Sequence, residues 1–182
     1  MNLKEEKVSS AQLHDGRIIK LFNDEIRLPD GKPAFREYVR HPGGICVVPV
    51  TEDREIMLVR QFRYPYGEET VEIPAGKRDS FEEDPLEGGK RELREELGIT
   101  AEEFVFLGEF YPTPGYTDEV IFMYAAKGLT YGETCPDEDE FVAAEKYPLD
   151  LLCEKIMAGE IKDGKTQAAV LKVKYLIEQG RF

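Results

Sequence analysis

The chain has 182 residues, 41% of them hydrophobic, enough for one core of ordinary size and a small appendage. Its formal net charge of −13 argues against nucleic-acid backbones and anionic membranes as partners. Three scattered cysteines, Cys46, Cys135 and Cys153, form neither a disulfide framework nor a metal-binding pattern. With no signal peptide and no apolar run of membrane-spanning length, they fit thiols kept reduced in a cytoplasm.

In chain order, residues 1–10 are polar and read as loosely ordered. Residues 17–28 and 34–41 alternate as strands do, and Asp30-Gly31 between them is a hairpin signal. Such a pair is too small to stand alone, so it must pack on its own domain or on a partner subunit. Pro42-Gly43-Gly44 reads as a hinge, which separates an N-terminal β element over residues 1–42 from a main domain over 43–182. Residues 45–51 and 55–64 read as adjacent strands joined by the turn Glu52-Asp53-Arg54. A short strand over 69–73 leads into Pro74-Ala75-Gly76.

The next stretch, GKRDSFEEDPLEGGKRELREELGI from Gly76 to Ile99, is the densest in carboxylates. Asp84 can cap a helix, Pro85 suits its first position, and Gly98 suits the left-handed residue past its end. Leu86, Leu93 and Leu97 form a narrow apolar stripe, and Glu92 and Glu96 share a face along its edge. Two like charges at that spacing destabilise an isolated helix by about 0.2–0.5 kcal/mol, which calls for a compensating cation. Hard oxygen ligands favour magnesium, manganese or calcium over zinc. Taken alone, such a pair reads first as a solvated acidic helix face.

Beyond the helix, residues 103–111 and 119–126 read as strands on either side of a Pro/Gly-rich loop, 112–116. Residues 129–140 form a long acidic loop of the kind that is more often functional than structural. A strand over 141–146 returns, followed by helices over 148–158 and 165–179. Strands and helices alternate unevenly, which predicts a mixed-sheet α/β sandwich and not a doubly wound parallel sheet.

The series Gly76, Glu83, Arg91-Glu92-Leu93, Glu95-Glu96, Gly98-Ile99 resembles the signature of the Nudix hydrolases, which cleave a nucleoside diphosphate linked to another group. Everything from Glu83 to Ile99 matches that box; six residues instead of five separate Gly76 from Glu83, a loop insertion of low cost. Further motifs are similar to the ADP-ribose pyrophosphatase branch. These are LVRQFRYP over 58–65, Glu72-Ile73-Pro74-Ala75-Gly76, Thr113-Pro114-Gly115 with Glu119, and Asp163-Gly164-Lys165-Thr166. The resemblance implies an α/β/α sandwich with a mixed sheet and a small N-terminal antiparallel β element. It also implies metal-dependent hydrolysis of ADP-ribose, or a related nucleoside diphosphate sugar, to AMP and ribose 5-phosphate.

Carried over residue by residue, the resemblance makes Glu92 and Glu96 metal ligands together with the carbonyl of Ala75, with Glu95 an additional or water-mediated contact. Magnesium is the expected ion and manganese an alternative; bridging the diphosphate, such ions neutralise charge and acidify a bound water. Arg91 reads as a structural partner of the helix carboxylates, and Glu83 as the residue orienting them. The general base in this branch comes from the late loop, Glu140 first and Glu138 second, although Asp137 to Glu140 also reads as a merely solvated acidic run. Arg63 is the expected diphosphate contact, since a guanidinium suits bidentate phosphate binding; Arg60 and Arg63 also read as ordinary strand-edge charge, which is reasonable for one of them. Gly115 and Glu119 match positions that touch the nucleoside or terminal ribose. Arg36 and Glu37 could reach a partner's site, because the branch commonly forms homodimers through its N-terminal strands. No tryptophan is present to stack a base, which leaves Phe35, Tyr38 or another aromatic. His41 reads as a strand-end packing residue. GDP-mannose or another nucleotide sugar is the alternative substrate, and a non-catalytic nucleotide sensor the alternative of another class.

Overall fold

A computed structural model describes residues 2–135 and 141–182. Residues 6–40 form an antiparallel sheet in the order β1 (Glu6–Asp15), β2 (Lys20–Arg27), β3 (Pro33–Arg40). The Asp30-Gly31 turn closes β2 onto β3, with Gly31 at φ 87°, a conformation glycine adopts without strain. Strand β1 corrects the reading of residues 1–10 as loosely ordered. All ten of its side chains are exposed, so no apolar alternation marks it in the sequence. Its pairing with β2 is reinforced by Ser10 Oγ donating to Asp24 Oδ1 at 2.5 Å and by Lys7 at 3.7 Å from Asp24 Oδ2.

Two further sheets build the main body. One takes β4 (Gly44–Pro49), β7 (Ala75–Lys77), β8 (Ile99–Phe110) and β9 (Ile121–Tyr131), in the order β7-β4-β9-β8. In it β4 and β9 run parallel and the other pairs antiparallel, so the sheet is mixed. The other takes β5 (Glu55–Arg63), β6 (Glu68–Glu72) and β10 (Val142–Pro148), in the antiparallel order β10-β5-β6. Strands β4 and β5 are therefore not ladder neighbours, contrary to the sequence reading; a single bridge, Val50 to Ile56, joins them. Strand β4 is buried along its whole length, and its two edges are already taken by β7 and β9. Arg54, at φ 58°, turns the chain away into the second sheet. Strand β9 also runs on to Tyr131, into the stretch expected to be loop.

The helices α1 (Pro85–Leu97), α2 (Leu149–Met157) and α3 (Gly164–Glu178) cover the sheets. Side chains alternate across a strand, so β4 feeds two cores. Cys46 and Val48 face a core closed by Leu149, Leu152 and Ile156 of α2 and Ala169, Val170 and Val173 of α3. Val47 faces the other, with Leu93 and Leu97 of α1, Val59 and Ala126. Helices on both sides of strands give the expected α/β/α sandwich. Burial also pushes the Cys46 thiol up to about 12, which makes it a packing residue and not a nucleophile. Among the described residues no helix is long and apolar enough to cross a membrane.

Candidate active site

Helix α1 starts and stops where its residues dictate. Asp84 accepts from the N–H groups of Leu86 and Glu87 at 2.9 and 3.2 Å, Pro85 opens the helix, and Gly98 closes it at φ 64°. Its contact with β4 is made by small residues that the leucine stripe did not reveal. A Cβ on Gly88 would lie 2.8 Å from Ile45 Cδ1, and one on Gly89 would lie 3.1 Å from Ile45 Cγ2. The helix thus sits close against the sheet and carries Glu92 and Glu96, only 7% and 4% exposed, down onto β7. There the Ala75 N–H donates to Glu96 Oε2 at 3.1 Å. Gly76 leaves the space that Glu92 occupies: a Cβ there would stand 1.9 Å from Glu92 Oε1. The apolar packing of one face of α1 therefore holds two carboxylates beside the Ala75-Gly76 backbone.

Arg91 lies among the acids, as the sequence reading expected. Its Nη1 is 2.8 Å from Glu92 Oε1 and 2.9 Å from Glu95 Oε2, and its Nη2 is 3.5 Å from Glu83 Oε1. Burial works against the guanidinium's charge, but Glu92, Glu95 and Asp79 outweigh it and raise its pKa. The extra residue between Gly76 and Glu83 does not put Glu83 out of reach. Arg78 straps the loop by donating to the carbonyls of Phe81 and Glu83, at 2.5 and 2.6 Å, and Asp79 N–H donates to Glu83 Oε2 at 2.7 Å.

A cavity of about 220 Å³ opens beside this edge, lined by Ala75 and Gly76 together with Arg63, Lys165, Glu119 and His41. Chain segments distant in sequence thus meet at the Ala75-Gly76 corner. Arg63 is gripped by Glu72: its Nε donates to Oε1 at 2.7 Å and its Nη2 to Oε2 at 2.6 Å. Lys165 Nζ donates to the same Oε2. Glu72 is 2% exposed; burial pushes its carboxyl up, but the bonds and charges of Arg63 and Lys165 prevail and bring it from 4.5 down to about 2. Glu119 lies 3.5 Å from His41 Nδ1, which accepts the Gly43 N–H at 3.1 Å. His41 is therefore more than a packing residue at a strand end.

Other expected positions lie apart. Arg36 is in the N-terminal sheet, where its Nε donates to Glu5 Oε2 at 3.1 Å. Gly115 is exposed in a loop tied to β3, where the Val39 N–H donates to the Tyr116 carbonyl at 2.8 Å. Tyr38 stacks on Phe22 with ring centroids 5.5 Å apart. Arg60, on the central strand β5, makes surface ion pairs 3.1 Å from Glu69 and 2.8 Å from Glu145. Glu138 and Glu140 lie outside the described residues. The sequence reading attached no chemistry to Lys165, although its place just after the Asp163 cap of α3 was a usable signal.

The donor set suits a hard divalent cation: buried carboxylates on α1, a neighbouring backbone carbonyl, and a glycine that makes room for one of them. Among the described residues no three His, Cys, Asp or Glu side chains converge as a ready cation cage. Arg91 Nη1 lies between Glu92 and Glu95 and neutralises them in this structure.

Residues 40–169 match the NUDIX domain, and residues 5–39 match the nucleoside diphosphate sugar hydrolase N-terminal domain. The chain belongs to the Nudix family. It is 41% identical over 175 residues to the methanol dehydrogenase activator of Bacillus methanolicus, covering 95% of this chain and 92% of that protein. To the ADP-ribose pyrophosphatase of Bacillus subtilis (strain 168) it is 37% identical over 171 residues, covering 93% and 92%. To the GDP-mannose pyrophosphatase of Escherichia coli (strain K12) it is 32% identical over 148 residues, covering 76% and 75%. The crystal structure of an ADP compounds hydrolase superposes with a TM-score of 0.85, covering the whole of both chains at 20% identity, and so shares this Nudix fold.

Proposed function

We propose that this Nudix hydrolase cleaves the diphosphate of ADP-ribose, or of a closely related nucleoside diphosphate sugar, giving AMP and ribose 5-phosphate. The observation that carries the proposal is the convergence of Glu92 and Glu96, the Ala75-Gly76 backbone and Arg63 on one corner. Relatives named for ADP-ribose and for GDP-mannose support the substrate class, and the ADP-ribose relative covers more of the chain.

Glu92, Glu96 and the Ala75 carbonyl would hold Mg²⁺, with Mn²⁺ able to replace it and Glu95 contributing directly or through water. A divalent ion bound there supplies charge neutralisation of the diphosphate and acidification of a water. Arg63 binds a phosphate oxygen, and Glu119, which lines the same cavity, contacts the nucleoside or the terminal ribose. Arg91 bridges Glu92 and Glu95 in the free enzyme, so metal binding competes with those contacts. Glu140, with Glu138 as the alternative, removes the proton from the attacking water. Two copies associate through the N-terminal sheet, whose exposed Val8, Leu13 and Phe35 favour burial, and Arg36 then serves the partner's site.

Phosphatase-coupled release on ADP-ribose, GDP-mannose and a dinucleoside polyphosphate, side by side in excess magnesium, tests the reading. The highest kcat/KM should fall on ADP-ribose. A preference for GDP-mannose moves the substrate assignment, and no release from any nucleoside diphosphate sugar would leave a nucleotide-sensing domain. Replacing Glu96 by Gln should abolish metal-dependent turnover; near wild-type hydrolysis at saturating magnesium would remove Glu96 from the metal set.

A further inference from the structure

The same Arg63 and Lys165 also line a second cavity, of about 300 Å³, with Tyr66, Glu68, Thr70 and Lys162. The wall between the two cavities is thus a cluster of charge built around the buried Glu72. Every oxygen of Glu72 in that wall is used twice. Oε1 accepts from Arg63 Nε at 2.7 Å and from Thr70 Oγ1 at 2.5 Å. Oε2 accepts from Arg63 Nη2 at 2.6 Å and from Lys165 Nζ.

A guanidinium locked to a carboxylate is a neutral pair and offers little to an anion. Lys165 shares Glu72 Oε2 with that guanidinium, and with Asp163 beside the lysine the four groups Arg63, Glu72, Lys165 and Asp163 balance in charge, so what the lysine fixes is geometry. The lysine is itself fixed. Asp163, 3.0 Å away, caps α3 by accepting from the Thr166 N–H at 2.9 Å and its hydroxyl at 2.5 Å. Thr166 Oγ1 in turn accepts from the Ile73 N–H at 2.9 Å. The start of α3 is therefore bolted to the end of β6, one residue from Glu72. Of the guanidinium nitrogens, Nη1 takes no part in the clamp on Glu72.

We infer that Lys165 is a positioning residue for the reaction: by sharing Glu72 it fixes the carboxylate that orients Arg63 toward the substrate's diphosphate. The inference rests on the reading of Arg63 as the diphosphate contact. It assigns to a lysine about a hundred residues downstream a share in substrate affinity exerted through Arg63.

The test is steady-state kinetics on ADP-ribose in excess magnesium with Lys165→Met, Lys165→Arg, Arg63→Ala and the Arg63→Ala/Lys165→Met double variant. Lys165→Met should raise KM about tenfold, the scale of one charge-assisted hydrogen bond, and leave kcat within about threefold. Lys165→Arg should restore most of that loss, and Lys165→Met should add nothing once Arg63 is alanine. An unchanged KM in Lys165→Met, or an equal rise with and without Arg63, overturns the inference while Arg63 keeps its role. An unchanged KM in Arg63→Ala overturns the reading of Arg63 and the inference with it. If Lys165→Met does not fold, Lys165→Gln takes its place: a raised KM that depends on Arg63 supports the inference, and an unchanged KM sinks it. A role in stability alone would lower Tm and leave KM where it was.

Discussion

Replacing Gly76 by alanine probes the metal corner without touching an acidic residue. The new methyl would stand 1.9 Å from Glu92 Oε1, 2.0 Å from its Cδ and 2.3 Å from Oε2, so the two groups cannot coexist. Gly76 has no positive φ, so the backbone accepts the change and the carboxylate must move. Forcing a side chain off its rotamer costs about 0.5–1.5 kcal/mol, and disturbing a charge-assisted contact with Arg91 adds about 1 kcal/mol or more. A total near 2 kcal/mol lowers Tm by roughly 4–8 °C for a chain of this size. Calorimetric titration with manganese should show affinity down by at least about tenfold, since one of the two buried carboxylates no longer faces Ala75. Coupled phosphate release should fall with it, and excess metal should recover part of the activity. If Gly76→Ala binds manganese and turns over like the wild type, the argument that Glu92 works from this cradle is wrong.

Three further expectations follow from the same structure. The Glu72 carboxyl lies at about 2 against an ordinary 4.5, so its ionised form stabilises the fold above pH 4.5 and that stability is lost as pH falls toward 2. The difference corresponds to about 3 kcal/mol; urea midpoints of wild type and Glu72→Gln should converge between about pH 6 and pH 3, and a constant gap would contradict the assignment. Glu140→Gln should lower kcat by about 10²–10⁴-fold with metal affinity intact; a few-fold loss there, with abolition in Glu138→Gln, transfers the base to Glu138. Phe35, 66% exposed on the N-terminal sheet, should be covered in the dimer, so Phe35→Glu should shift sedimentation toward monomer; an unchanged sedimentation profile would place the interface elsewhere.

The caps of α1, its glutamate spacing and the order of the flanking motifs were legible because they are local. Asp84, Pro85 and Gly98 act within one turn of where they stand, and Glu92 and Glu96 share a face by helical period alone. Strand β1 was not legible, since a strand exposed on every side chain leaves no alternation to read. The pairing of β4 with β9, more than seventy residues away, and its separation from neighbouring β5 could not be read either. Such register depends on which edges other strands have already taken.

The sequence by itself determined what kind of chemistry the chain carries: a capped helix with hard oxygen donors at fixed spacing, in a family signature. Only the tertiary structure decided how those donors are surrounded. Gly88 and Gly89 bring α1 close to β4, Gly76 makes room for Glu92, and Lys165 arrives from α3 to share Glu72 with Arg63. Local pattern sets which groups a helix presents. Long-range packing sets what each one faces, and charge in a buried site takes its meaning from its neighbours.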